Sequence, residues 1–369
     1  MTQAGLYIHI PFCQRKCKYC DFFSCAQLDL VDRYVDELCR EIVLCGRRFP
    51  AEINTIYLGG GTPSVLTLGQ LNKIFSAVHN AFPVHSEETT IEVNPNTSEN
   101  LAEYKTFGID RVSIGVQSLS DVLLKKIGRL HTADEALKTL ENARNNFDNV
   151  SGDLIIGLDK EQDVVGDLEK IAPYCTHISA YMLSVAKKTP LYTLVKEKKF
   201  IPASDDEVVD QYEKLTDRCR ELGFYRYETS NFSQLGKEGV HNGNYWEMKP
   251  YIGVGPSAHS YFNGVRYYNK NDLTAYLNGE HSGNGKEVSE RKVSVRSEKT
   301  ETIMLALRTT KGLDIEKYNE RFSADFIKEH KNGLIKVKDY TAIKNNKLYI
   351  LPKYFSVQNS IILSILTDL

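Results

Sequence analysis

Three of the chain's eight cysteines lie at Cys13, Cys17 and Cys20, and a fourth, Cys25, follows closely. The Cys13-x3-Cys17-x2-Cys20 spacing gathers three soft thiolates in one short loop, and such ligands select iron–sulfur clusters, zinc or copper(I). A structural zinc site closes its tetrahedron with a fourth ligand, often from a second Cys-x2-Cys pair, and the chain has no such second pair. Cys25 or His9 could complete a zinc site, although neither has the usual spacing. Three thiolates can instead hold three irons of a cubane and leave the fourth iron open to an exogenous group. Lys16 and Lys18 in the same loop bring positive charge, which stabilises a thiolate-rich cluster and its reduced form. Cys39, Cys45, Cys175 and Cys219 fall in helical or strand-like contexts and read as small core residues.

A second set of residues could hold a polar organic cofactor. Gly59-Gly60-Gly61-Thr62-Pro63-Ser64 follows an apolar run. Glycines there would let backbone groups approach a ligand closely, although any tight turn could use them. Glu92, in Glu92-Val93-Asn94-Pro95, and Gln117, in Gly115-Val116-Gln117-Ser118, could hydrogen-bond the hydroxyls and amino group of a nucleoside. Alternatively, Glu92 pairs with a neighbouring cation such as Arg111. Tyr7 and Tyr19 flank the cysteine loop. Tyr7 could present its hydroxyl to a cluster-bound ligand and Tyr19 could pack on an adenine, or either could be a core aromatic.

These residues need a frame that brings them together. Short apolar runs alternate with amphipathic ones of helical length, the pattern of βα units around a parallel sheet. The pattern predicts strands at Leu6–Ile10, Thr55–Leu58, Thr90–Val93, Arg111–Val116, Asp153–Gly157 and His177–Tyr181. Helices are expected at Leu30–Cys45, Leu68–Ala81, Ala133–Asn145, Asp163–Ile171 and Asp205–Leu222, the last preceding a strand at Tyr225–Thr229. In such folds the chemistry sits where strands end and loops begin. The 369 residues suit a barrel-sized domain and a smaller appendage. The polar stretch His281–Arg296 reads as a linker or surface loop, which divides the chain into residues 1–280, 281–296 and 297–369. After it come a helix at Lys299–Leu307 and short elements such as Leu334–Val337 and Lys347–Leu351.

Hydrophobic residues make up 41% and charged residues 25% of the chain, as in an ordinary globular protein. A formal charge of −2 gives no electrostatic reason to expect nucleic acid or a membrane as partner. Met1–Ile10 has no basic n-region, and no segment approaches the roughly 18 apolar residues of a membrane span. A cytoplasmic location is therefore expected, where thiols stay reduced.

Tyr7-Ile8-His9-Ile10-Pro11-Phe12-Cys13, continuing to Cys17-Lys18-Tyr19-Cys20-Asp21-Phe22, resembles the opening of radical-SAM proteins of the oxygen-independent coproporphyrinogen III oxidase (HemN-like) branch. The resemblance runs from Tyr7 into the region after Ser297. It implies an α/β fold, a partial (β/α)6 TIM-like barrel followed by a small α+β, winged-helix-like domain. It also implies a [4Fe-4S] cluster on Cys13, Cys17 and Cys20, with S-adenosylmethionine at the open iron. Gly60, Gly61 and Thr62 then belong to the turn that recognises the methionine amino group. Glu92, Gln117, Arg129 and Asp153 match further cofactor-contacting positions.

Two departures within the branch point toward its heme-chaperone members. The oxidases resemble Cys-x3-Cys-x2-Cys-x-Cys, whereas here the last position is Phe22. In addition, His241-Asn242-Gly243-Asn244-Tyr245-Trp246 resembles the HNxxYW signature of the chaperones. An imidazole can ligate heme iron and flat aromatics pack on a macrocycle, so His241, Tyr245 and Trp246 are the candidate heme residues, against a purely structural corner. The resemblance thus implies binding of heme and its transfer to acceptor hemoproteins, respiratory ones among them, with an electron donor for the cluster. The competing reading is an active coproporphyrinogen III oxidase, and a third is a zinc-stabilised scaffold.

Overall fold

Along most of their length the strands alternate between an apolar and a polar face, and this alternation builds the molecule. In a computed structural model, which describes residues 1–99, 101–289 and 293–367, six strands run parallel as consecutive neighbours. They are β1 (Thr2–Ile10), β2 (Ala51–Gly60), β3 (Val84–Val93), β4 (Arg111–Gln117), β5 (Asn149–Ile156) and β6 (His177–Met182). Leu6, Ile8 and Ile10, then Ile56, Leu58, Ile91, Val93, Val112, Ile114 and Val116, form the outward face of the sheet and one continuous core with the helices. The intervening positions, among them Tyr7, Tyr57, Glu92, Ser113 and Asp153, face one another across a polar lumen, as the period of two requires.

Helices α1 (Val31–Arg48), α2 (Leu68–Ala81), α3 (Asp121–Ile127), α4 (Ala133–Asn146), α5 (Val164–Ile171), α6 (Pro190–Lys196) and α7 (Asp205–Glu221) connect the strands. α1 buries Val31, Tyr34, Val35, Leu38, Ile42 and Cys45, a helical stripe that lies on the sheet's apolar face. Capping boxes at Thr67–Gln70, Thr132–Glu135 and Ser204–Glu207 start α2, α4 and α7. The sequence reading finds α1, α2, α4, α5 and α7 to within a few residues and passes over α3 and α6, and it places the starts of β1, β2, β3 and β5 several residues late. Their first halves carry polar residues, such as Glu88 and Ser151, that face the lumen and interrupt an apolar run. Asp153 therefore lies in the middle of β5 instead of opening it. The expected strand at Tyr225–Thr229 shortens to β7 (Tyr225–Arg226), which pairs with β8 (Asn231–Ser233).

The barrel is open. Beyond β6 the sheet continues into β8 and β7, and beyond β1 into β9 (Tyr251–Val254), β10 (His259–Phe262), β11 (Val265–Tyr268) and β12 (Val288–Ser289). The short helix α8 (Val240–Trp246) precedes β9, and α9 (Leu273–Leu277) follows β11.

The reading of 281–296 as a linker is corrected over its first part. His281 and Ser282 are fully buried against α1, where His281 Nε2 meets Glu37 at 2.9 Å and Ser282 Oγ donates to Glu41 at 2.6 Å. Partners more than 240 residues away in the chain satisfy groups that look like loop composition. Residues 290–292 of that stretch lie outside the described residues. A second apolar core then forms around Ile303, Leu307, Tyr318, Phe326, Leu348 and Ile361. It joins α10 (Val295–Ala306) and the helices after it to a three-stranded antiparallel sheet of β13 (Leu313–Asp314), β15 (Lys347–Ile350) and β14 (Thr341–Lys344). Arg226 ties this body to the barrel, donating to Pro352 O at 3.0 Å with its guanidinium 4.1 Å from the Phe355 ring. No helix among the described residues is long and apolar enough to cross a membrane.

Candidate metal and cofactor site

Strand register brings the candidate residues to one end of the barrel. Ile10 is level with Gly60, Val93 with Ile114, and Ile156 with Met182, so the segments after β1 to β6 open on the same face. The cysteine loop leaves β1 there and is zipped to its own return limb by Cys13 N–H to Cys25 O (2.9 Å) and Cys25 N–H to Pro11 O (2.7 Å). Lys18 locks the middle of the loop, its N–H donating to Ile127 O and its carbonyl accepting from Leu191 N–H, both at 2.9 Å. Cys13 is buried, while Cys17 and Cys20 are half-buried. Burial pushes the Cys13 and Cys20 thiols up, so metal binding there would release protons.

Among the described residues no three His, Cys, Asp or Glu side chains converge on a single-ion site. Three thiols spread along one loop fit a cubane, where each binds a different iron, better than the single centre of a zinc tetrahedron.

The glycine turn is packed directly on this loop. Gly61 N–H donates to Ile10 O and Thr62 N–H to Phe12 O, each at 2.8 Å, and a Cβ on Gly61 would lie 2.7 Å from both Ile10 O and Phe12 O. Gly60 adopts φ +108, and a side chain there would strike the His9 ring at 2.4 Å. Thr62 Oγ1 donates to Cys13 Sγ at 3.4 Å and accepts from Asn94 Nδ2 at 2.8 Å.

Glu92 stands beside the turn, accepting from Tyr57 Oη at 2.9 Å and from Gly60 N–H at 3.0 Å. Burial pushes its carboxyl up to about 7, against the pull of these two hydrogen bonds. Arg111 does not partner Glu92; its guanidinium approaches Glu88 at 3.9 Å. Gln117 ends β4 with φ +68, a left-handed conformation rare outside glycine, asparagine and aspartate. Its amide folds back over Gly115, where an added Cβ would meet Gln117 Nε2 at 2.8 Å and Arg129 Nη2 at 3.2 Å.

Arg129 bridges the whole site. Nη2 donates to Asn94 Oδ1 and Gly115 O at 2.6 Å each, Nη1 points to Cys17 Sγ at 3.8 Å, and the buried Nε has no protein acceptor. Asp153 lies deeper in the lumen and accepts from Ser113 (2.9 Å) and Ser151 (2.8 Å). Ser151 in turn meets His177 Nδ1, and His177 Nε2 meets Tyr227 Oη, both at 2.8 Å.

Both tyrosines have protein partners beside the cysteine loop. His9 Nε2–H donates to Phe23 O at 2.8 Å, so its Nδ1 accepts from the Tyr7 hydroxyl at 3.0 Å. That hydroxyl is engaged in holding the loop. The half-buried Tyr19 ring packs against the apolar cluster of Leu123, Ile127, Ile155, Leu158, Leu191 and Phe200.

The larger correction concerns α8. His241 is 1% exposed and both ring nitrogens are occupied, Nδ1 by Thr55 Oγ1 and Nε2 by Tyr245 Oη, each at 2.8 Å. Burial and the Arg111 charge press its pKa down to about 3. The backbone N–H groups of Val240 and His241 donate to the Glu88 carboxylate at 2.9 and 3.0 Å, and the His241 ring lies 5.2 Å from that of Tyr57. Thr55 lies five residues before the end of β2, about 16 Å of strand from the cysteine loop. The helix plugs the far end of the lumen. In this geometry His241 offers no nitrogen to a heme iron, and Tyr245 spends its hydroxyl on His241. Trp246 is half-buried, its Nε1 without a protein partner.

The reading of the sequence weighs His9 only as a zinc ligand and gives no role to Tyr57, Asn94, Ser113, Ser151 or His177. The polar alternation in Arg111-Val112-Ser113-Ile114-Gly115 and His177-Ile178-Ser179-Ala180-Tyr181 is the signal that locates Ser113 and His177.

Residues 7–171 match the Radical SAM superfamily. Proteins of this family are built on a [4Fe-4S] cluster and S-adenosylmethionine, and the three-thiolate loop with its orphaned Arg129 Nε fits that pair. Across its whole length the fold is similar to that of coproporphyrinogen III oxidase (HemN) from Escherichia coli, with a TM-score of 0.85 at 19% identity, covering 100% of this chain and 91% of that one. The heme chaperone HemW of Bacillus subtilis is 32% identical over 86% of this chain and 86% of its own length. The heme chaperone HemW of Lactococcus lactis is 31% identical over 98% of this chain and 97% of its own. With that likeness running from end to end over a radical-SAM barrel, the chain belongs to the HemW family of radical-SAM proteins.

Proposed function

We propose that this protein is a heme chaperone that binds heme and passes it to acceptor hemoproteins, on a frame that holds a [4Fe-4S] cluster and S-adenosylmethionine. The observation that carries the reading is the full-length likeness to the HemW proteins. The departure at Phe22 supports it, because this side chain is 66% exposed and brings no ligand to the cluster loop.

Cys13, Cys17 and Cys20 would hold three irons, and the cofactor would sit between the open iron and Glu92, Gln117, Arg129 and Asp153. When bound, the pair supplies one-electron chemistry. The residues of the chain bind, orient and shield it. The N–H donors of Gly60, Gly61 and Thr62 are spent on Glu92 and the cysteine loop, so the turn would meet an ammonium group with carbonyl oxygens. The unpartnered Nε–H of Arg129 would meet an acceptor of the cofactor. The heme ligand would come from outside the His241–Tyr245 pair, which is the keystone of the lumen floor.

Anaerobic reconstitution tests the frame. About four irons and four sulfides per chain are expected, lost in Cys13→Ala, Cys17→Ala or Cys20→Ala and kept in Cys39→Ala. Stoichiometric zinc without sulfide would sink the reading. Heme titration of the reconstituted protein should give a Soret band that saturates at one heme per chain.

A further inference from the structure

Through α8 a file of aromatic rings leads out of the lumen. Tyr7 stacks on Tyr57 with ring centroids 6.2 Å apart, Tyr57 faces His241 at 5.2 Å, and His241 meets Tyr245 edge-on at 5.1 Å. From Tyr245 the next ring is Tyr251 at 4.7 Å, and beyond it Tyr261 at 6.5 Å. Tyr251 opens β9 level with Gly5, toward the end of β1 that lies away from the cysteine loop. Tyr7, Tyr57 and Tyr251 are half-buried, so the file is reachable from the lumen and from outside. Packing explains the rings but not the partners of their hydroxyls. Tyr7 Oη donates to His9 Nδ1 at 3.0 Å, Tyr57 Oη donates to Glu92 at 2.9 Å, and Tyr245 Oη lies 2.8 Å from His241 Nε2. With the His241 ring proton on Nδ1, beside Thr55 Oγ1 at 2.8 Å, Nε2 accepts from the Tyr245 hydroxyl. A backbone carbonyl would satisfy these hydroxyls equally well but could not keep a proton.

We propose that this file is a conduit for oxidising equivalents, which carries an electron hole from the lumen through α8 to Tyr251, where a small thiolate in solution fills it. The oxidant is an oxygen-centred radical in the lumen, and for its source the inference rests on the reading that Cys13, Cys17 and Cys20 hold an iron cluster with an open position. An oxidised phenol is a strong acid, and a charge left unpaired in a buried site is costly, so each buried tyrosine of such a conduit needs its own base. In the first step the radical gains one electron from Tyr7 and becomes an oxyanion, while the Tyr7 proton moves to His9. Tyr57 then gives an electron to Tyr7, which recovers its proton from His9, and the Tyr57 proton moves to Glu92. Tyr245 refills Tyr57 across the His241 ring, its own proton passing to His241 Nε2 as Glu92 returns the proton it held. Tyr251 refills Tyr245, releasing its proton to water, and the thiolate gives Tyr251 an electron and becomes a thiyl radical. Each proton returns to its own phenol, so the sum is one electron moved from thiolate to oxidant. The signature residues His241 and Tyr245 thereby have a use that calls for no iron ligand.

Electron hops run in either direction, so loading the file from its outer end tests it without a cluster. Tyr57→3-aminotyrosine places a more easily oxidised ring at the lumen end of the metal-free full chain. Tris(bipyridine)ruthenium(III), generated by a flash in solution, should then produce an aminotyrosyl radical, read by EPR after freeze-quenching. Tyr245→Phe or Tyr251→Phe, added to that chain, keeps a ring in place but removes the oxidisable hydroxyl, and should lose most of the signal. Tyr251→3-fluorotyrosine, which keeps a hydroxyl, should retain it, as should Tyr225→Phe at a 57% exposed tyrosine off the file. Equal yields with the file intact and in both Tyr245→Phe and Tyr251→Phe would overturn the proposal. So would an equal loss in Tyr225→Phe, or no aminotyrosyl radical with the file intact. The cluster reading stands or falls separately on the iron and sulfide content of the reconstituted chain, and zinc without sulfide there would overturn the assigned source of the radical whatever the EPR shows.

Discussion

At the scale of the residue, Arg129 is the buried cation nearest to the ligand sulfurs, with Nη1 3.8 Å from Cys17 Sγ. Of the loop's lysines, which the sequence suggests for that role, Lys16 donates to Phe22 O. A positive charge and an N–H donor at a sulfur favour the reduced, more negative cluster. In the absence of S-adenosylmethionine, Arg129→Gln should therefore lower the cluster's midpoint potential in a redox titration followed by EPR, with Arg129→Lys falling between; an unchanged potential would remove Arg129 from this role. Glu92 gives a pH signature. Its folded pKa of about 7 lies above its ordinary 4.5, so between these values the folded chain holds a proton that the unfolded chain has released. Stability present at low pH is lost as pH rises through that window, by on the order of 3 kcal/mol. In the metal-free chain Glu92→Gln should lose less stability than the wild type between pH 5 and pH 8 in denaturant titrations. The buried Glu228, also raised to about 7, keeps part of the slope in the variant.

At the scale of the element, α8 shows how far local pattern can mislead. Its histidine beside a tyrosine and the single tryptophan reads as a ligand set, because residue type carries no information about which end of a barrel a helix will plug. The His241–Tyr245 hydrogen bond is local to the helix, but the one from His241 to Thr55 spans 186 residues and is a fact of assembly. His241→Ala would leave both hydroxyls buried with a lost partner, a cost of roughly 1–3 kcal/mol. Lower stability in thermal unfolding is expected, with the Soret band of the heme complex unmoved; a displaced Soret band in a folded variant would return His241 to the heme. The cysteine loop is the opposite case. Its ligands are legible because their spacing lies within one loop, whereas Arg129, Asn94 and Gly115 meet only through the register of β3 and β4.

At the scale of the whole molecule, a buried carboxylate fastens the later part of the chain to the first helix. Glu41 accepts from Gly255 N–H (2.8 Å), Asn269 (2.8 Å), Ser282 (2.6 Å) and Tyr276 (2.6 Å). Glu41→Ala should cost about 3–5 kcal/mol, as for breaking a buried charged network, and should show as a lowered Tm of the full chain. The six βα units, and thus the barrel, are legible because each strand's outward face is an apolar run. The burial of His281 and Ser282 is not legible, since their partners lie on α1. Function at this scale turns on two activities that the same fold could host. The most direct test compares them on one anaerobically reconstituted preparation. Heme-loaded protein is mixed with apomyoglobin and followed at the Soret band, and a parallel sample receives coproporphyrinogen III, reductant and S-adenosylmethionine. Heme should move to apomyoglobin while coproporphyrinogen III remains unconverted; robust formation of protoporphyrinogen IX without heme transfer would contradict the account.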